Sequence, residues 1–180
     1  MKKNFFKIVL VTIIFSSCTD QSPENIFSQA VLNTNSFFGF AGNADFRQLE
    51  SPSVKLVPGT TDKTEPMKRA EVVQDKIDQL SASFSKIKKL STSGDAKAMV
   101  ESSVALYEYV LPVYKTEYMQ LAKLYDDEAS ADEIQQMTEA MQSKYQAGFI
   151  SLKDKLTEAG KEYAQKHNIN VQWDVKTSPR

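Results

Sequence analysis

"VESSVALYEYVLPVYKTEYMQLAKLY", residues 100–125, carries an apolar stripe without a break. Val100, Val104, Tyr107, Leu111, Tyr114, Tyr118, Leu121 and Tyr125 follow one another in alternating steps of four and three. That is the period of a helix with one face turned to a core. Met99, Ser103, Leu106, Val110 and Val113 make a second stripe beside the first. A helix apolar over so wide an arc is packed from two sides. The stretch therefore predicts a central helix. Pro112 removes a hydrogen bond within it and crowds the carbonyl of Glu108, which predicts a kink.

Further helices lie on both sides. Thr64-Glu65-Pro66 reads as the start of one that carries Val73, Ile77, Leu80, Phe84, Ile87 and Leu90 as a single stripe. Ser93 to Asp95 breaks it and caps the next. Ser130-Ala131-Asp132-Glu133 is a capping box. It opens a helix over 131–166 bearing Ile134, Met137, Met141, Tyr145, Phe149, Leu152, Leu156, Ala159 and Tyr163, roughly 54 Å long at 1.5 Å per residue. Ser22-Pro23-Glu24 supplies a cap, a first-turn proline and an acid, predicting a short helix to about Phe37. Residues 39–64, with Gly39, Gly42, Pro52, Pro58 and Gly59, read as a long irregular loop, which in a compact domain is either a functional loop, a tether or an unrecognised element. Inside it "SVKLV" (53–57) has the composition of a short strand. Ile169, Val171, Trp173 and Val175 alternate with polar residues. They predict either a strand paired with "SVKLV" or, preferred, an extended tail that lays Trp173 on the helices. The expected fold is all-α, an antiparallel three- to four-helix bundle with long helices. The helical domain spans 23–168 with the loop 39–64 inside it, and the tail spans 169–180.

The amino terminus reads differently. Lys2, Lys3 and Lys7 precede an apolar run from Ile8 to Phe15. That run is far short of the roughly 20 residues that span a bilayer. Residues 1–17 thus read as a signal peptide. Phe15-Ser16-Ser17-Cys18 resembles the lipobox of bacterial lipoproteins, with Phe15 where leucine is commoner. Cys18 is the chain's single cysteine; the alternative for it is a small buried core residue. A thiol is the side chain most readily made nucleophilic enough to take a lipid. Two or more acyl chains, palmitate among them, anchor a protein stably at about 0.8 kcal/mol per buried methylene. The expected place is the bacterial outer membrane, lipid-anchored and facing periplasm or cell surface, with 18–22 as lipidated terminus and tether.

"LYEYVLPVYKTEYMQLAKLY" (106–125), "SADEIQQMTEAMQSKYQAGFISLKDKL" (130–156) and "EYAQKHNINVQ" (162–172) carry a further resemblance. From about 67 to 172 the chain resembles small uncharacterised surface lipoproteins of bacteroidetes and spirochaetes. The resemblance implies a lipoprotein signal followed by a helical domain, and it transfers no active site. Residues 39–64 lie outside it.

The chemistry-bearing residues point away from catalysis. His167 is the single histidine, with no partner at metal-ligand spacing and no Glu-x-x-His pair. One histidine supplies no Ser-His-Asp arrangement by the usual route, and nothing marks a serine as activated. "GFAGNAD" (39–45) lacks the glycine spacing and lysine of a phosphate loop. Asp126-Asp127-Glu128 reads as a solvated link between helices. Losing residues 1–17 removes three of 22 basic residues and none of the 23 acidic ones, leaving a net charge of −4. Such a surface offers no general attraction to nucleic acid. No metal, cofactor or enzymatic activity is expected. Tyr107, Tyr114, Tyr118 and Tyr125 share one face, with Tyr109 elsewhere. That face is either core with its hydroxyls at the rim or an aromatic groove for a partner or ligand. The function expected is a membrane-anchored binding, adaptor or structural module with an envelope protein as partner. The alternative is a carrier of a small apolar ligand in the bundle core or the aromatic groove.

Overall fold

A computed structural model describes residues 22–51 and 53–173. The chain is mostly helical, with one two-stranded sheet. The helices are α1 (Pro23–Ala30), α2 (Asn43–Glu50), α3 (Arg69–Ile87), α4 (Lys97–Val113), α5 (Met119–Asp126) and α6 (Ala131–Lys166). The strands are β1 (Val54–Leu56) and β2 (Thr64–Pro66). Cys18 and residues 1–17, expected from sequence to be a signal peptide, lie outside the described residues, as do 174–180.

α4 and α5 are the two ends of one helical run, joined by a π-helical segment, Tyr114–Tyr118. The expected disturbance at Pro112 therefore takes a definite form. The backbone widens to i→i+5 bonding two residues beyond the proline. The Thr116 hydroxyl donates to the Pro112 carbonyl at 2.9 Å. In the widened turn Tyr114 and Tyr118, four residues apart, stand one over the other with rings stacked at 4.3 Å. If that arrangement depends on the proline, Pro112→Ala leaves the melting temperature unchanged or lowers it. A clear rise, approaching the roughly 3 kcal/mol cost of a helix-interior proline, would show that the proline is only tolerated.

α3 packs against both α4 and α5, and α6 packs along α4 and reaches α5. α6 runs from a capping box in which the Ser130 hydroxyl accepts from the Glu133 amide at 3.3 Å. Glu133 in turn accepts from the Ser130 amide at 3.1 Å. Together these bonds satisfy two of the donors a helix start leaves open. At the far end of α6, Lys166 and His167 reach Asp95 at 3.0 and 2.8 Å. Both neighbours hold the Asp95 carboxyl down to about 2.

Residues 39–64 are not an irregular loop. They contain α2 and the first strand of a hairpin and end on the first residue of the second, with Val54 opposite Pro66 and Leu56 opposite Thr64. α2 forms because Phe46 and Leu49, three apart, share a buried face with Asp45 beside them. Burial against α5 and the π segment stabilises eight residues that would not hold a helix alone. Two helix boundaries also move. The helix expected to run from Pro23 to Phe37 ends at Ala30, and a 3₁₀ turn, Leu32–Phe37, replaces its second half. Thr64-Glu65-Pro66 is β2, so α3 begins at Arg69. Among the described residues "SVKLV" pairs with that neighbour, not with 169–173. Residues 169–173 form neither helix nor strand; Trp173 meets the Phe27 ring edge-on at 5.8 Å.

Asp126 is not merely a solvated link. Its carboxylate accepts from the amides of Arg69 at 2.7 Å and Ala70 at 3.0 Å. It thereby caps the start of α3 from the end of α5, where negative charge meets the helix's positive pole.

Candidate functional site

The aromatic face of the central run is where the amino-terminal segment docks. Tyr107, Tyr114 and Tyr118 are buried, and Tyr125 is half-buried. Phe37 packs edge-on to Tyr107 at 4.6 Å, and Phe84 of α3 stacks parallel to it at 5.5 Å. The Tyr107 hydroxyl makes no hydrogen bond of normal geometry, with Ser83 and Ser36 as its polar neighbours, so the ring supplies its main contacts. Phe40 lies 5.8 Å from Tyr114 and 5.9 Å from Tyr118, and it also meets Phe149 of α6 at 5.0 Å. Phe46 closes on Tyr118 at 5.9 Å. The space between the tyrosine rings is thus occupied by the chain's own phenylalanines. Tyr109, on another side, donates from its hydroxyl to the Tyr145 carbonyl at 3.1 Å.

The polar ends of this cluster converge on one carboxylate. Asp45, in the first turn of α2, is only 5% exposed. Its Oδ2 accepts from the Tyr114 hydroxyl at 2.7 Å. The Tyr118 hydroxyl accepts from the Ala41 amide at 2.8 Å and is hydrogen-bonded to Asp45 as well. Ala41 sits at φ +51°, a left-handed conformation that costs an alanine about 1–2 kcal/mol. The bond to Tyr118 holds it there. Burial pushes the Asp45 carboxyl above the ordinary carboxylate range, while the bonds from Tyr118 and Tyr114 and the charge of Lys76 work the other way. Burial and then the Asp45 charge push both tyrosine hydroxyls far above their ordinary range, so they remain neutral donors.

This cluster forms the floor of a cleft of about 260 Å³ between α2, α3, the hairpin and the π segment. Leu49, Met67, Val72 and Val73 supply apolar wall, and Gln48, Gln79, Asp75 and Lys76 lie toward the mouth. The Lys76 ammonium donates to the Ser36 carbonyl at 2.6 Å. A second depression of about 410 Å³ lies where α2 meets the start of α6, bordered by Phe46, Arg47, Tyr125 and Ile134.

Of the four tyrosines singled out from sequence, Tyr114 and Tyr118 reach the cleft and Tyr125 borders the second depression. Tyr107 lines neither. Asp45 was missed. It stands beside Phe46 in a stretch punctuated by Gly39 and Gly42, and only the distant tyrosines reveal that it is buried. Among the described residues, no three His, Cys, Asp or Glu side chains form a group that could hold a metal. No described helix is long and apolar enough to cross a membrane. No protein-family model, curated protein or solved structure matches the chain.

Proposed function

We propose that the chain is a lipid-anchored protein of the bacterial outer membrane, facing periplasm or cell surface. Its helical domain, read as an antiparallel three- to four-helix bundle with an extended carboxyl-terminal tail, acts there as a non-enzymatic binding module. The observation that carries the binding reading is the cleft floored by Asp45, Tyr114 and Tyr118. An apolar wall with a few convergent polar groups is the usual make-up of a small-ligand site. The volume lies just below the ~300 Å³ lower end for such sites, so the ligand is small.

The test is ligand-observed NMR on the full chain in detergent against a library of small solutes. Gln79, exposed at the mouth, is the place to block entry without disturbing the core. Binding lost in Gln79→Trp places the ligand in the cleft. Binding that survives that substitution removes it from the cleft. The adaptor reading rests on a different surface, the exposed hairpin face with Val54 at 61% and Leu56 at 56%. Capture of an envelope protein that is lost in a Val54→Ser, Leu56→Ser double variant and kept in Gln79→Trp would favour it.

The anchor rests on sequence alone. Cys18→Ala is expected to abolish fatty-acid labelling and leave the protein uncleaved or released from the membrane. Normal labelling of that variant, followed by metabolic incorporation of palmitate, would end the lipoprotein reading.

A further inference from the structure

We propose that the cleft takes a small primary ammonium compound, its cationic nitrogen paired with the Asp45 carboxylate. The inference rests on the cleft being a ligand site and specifies what enters it.

Asp45 lines the cleft and is nearly buried, yet it takes part in none of the ion pairs among the described residues. Its bonded neighbours, Tyr114 and Tyr118, are neutral hydroxyls. Lys76 acts on it only through its charge at a distance, and burying a carboxylate with no cation in contact is costly. Fastening two tyrosine hydroxyls does not require that cost, because an asparagine carbonyl would accept the same bonds uncharged. The charge thus has a use that the local hydrogen bonds do not explain. Lys76 is the one cation among the cleft-lining residues, and its ammonium is engaged with the Ser36 carbonyl at 2.6 Å. Against it stand Asp45 and Asp75, so the lining carries net negative charge.

The ring geometry narrows the ligand further. A quaternary ammonium is recognised by open aromatic faces. Here Tyr114 and Tyr118 stack on each other at 4.3 Å, and Phe40 and Phe46 pack against them. What remains toward the cleft is a carboxylate that suits an N–H donor, hence a primary ammonium. Leu49, Met67, Val72 and Val73 suit a short alkyl body.

The experiment is calorimetric titration of the full chain in detergent with three probes: butylammonium, 1-butanol and butyltrimethylammonium. Butylammonium is expected to bind at least about tenfold tighter than the other two, as a charged hydrogen bond does over a neutral one. Asp45→Asn should erase that preference. Lys76→Gln, which removes a rival cation near the mouth, should tighten butylammonium and leave 1-butanol unchanged; this keeps the test decisive if Asp45→Asn folds poorly. Asp45 is faced by Tyr114, Tyr118 and Lys76, with Asp75 near the mouth, and burial raises the Asp45 carboxyl. Affinity for butylammonium should therefore begin to fall, as pH is lowered, above the ordinary carboxylate range. Equal binding of 1-butanol and butylammonium, both blocked by Gln79→Trp, overturns the ammonium proposal and leaves the cleft as a site. Failure of all three probes, together with an empty library screen, overturns the proposal and the cleft reading alike.

Discussion

Tyr118→Ala is expected to destabilise the protein by about 3–5 kcal/mol, the range for truncating a buried aromatic residue. The ring is 2% exposed and touches Tyr114, Phe40 and Phe46. Removing it opens a cavity at the junction of α2, the π segment and residues 40–41. It also strands the Ala41 amide, whose partner is the Tyr118 hydroxyl at 2.8 Å. A buried donor left without an acceptor costs about 1–3 kcal/mol. Tyr118→Phe separates these contributions, because it keeps the ring and removes the hydroxyl alone; its expected cost is that of the stranded amide together with the lost bond to Asp45. Denaturant unfolding followed by circular dichroism measures both. A Tyr118→Ala protein that melts like the parent would mean that the amino-terminal segment is not docked on this face.

The second large effect is at Gly39. Its φ is +82°, and a Cβ there would stand 2.9 Å from Ala44 Cβ and 3.0 Å from the Asp45 amide. Gly39→Ala thus meets two penalties. The left-handed backbone costs an alanine about 1–2 kcal/mol, and overlap in a packed region adds about 1–3 kcal/mol. Gly59 is the control, with φ +80° and nothing within 4 Å of where a Cβ would stand. Gly59→Ala should show only the backbone penalty, so the difference in melting temperature between the two variants reports the overlap. Equal losses would show that α2 yields freely to the added methyl group.

The long helices were legible because their signals are local and repeated. Ser130 and Glu133 cap α6, and the predicted span 131–166 is the observed one. In residues 100–125, seven consecutive steps of three or four leave little alternative to a helix. The site was illegible for the opposite reason. α2 is eight residues long, and its buried positions make sense only beside Tyr114 and Tyr118. Asp45 carries no mark of burial in its own neighbourhood. The expected helix start at Thr64-Glu65-Pro66 failed because an acid after a threonine fits a helix cap and a hairpin strand alike; pairing with Val54–Leu56 decided it. Asp126 looked like a surface acid because the amides it caps belong to a helix that starts 57 residues earlier.

The bond from Ala41 to Tyr118 spans 77 positions of the chain, and that from Tyr114 to Asp45 spans 69. A ribosome works from the amino end. Phe27, Phe37, Phe40 and Phe46 are therefore made long before the surface that shelters them. Phe40 and Phe46 have no Tyr118 ring to dock on until residue 118 has been added, Phe37 waits for Tyr107 and Phe27 for Trp173, and closing such long loops delays the contacts further. The first part of the domain to be synthesised thus waits for partners made much later in the chain. Throughout that interval the segment lacks those partners, and a segment without its partners can still be threaded, trimmed or handed on.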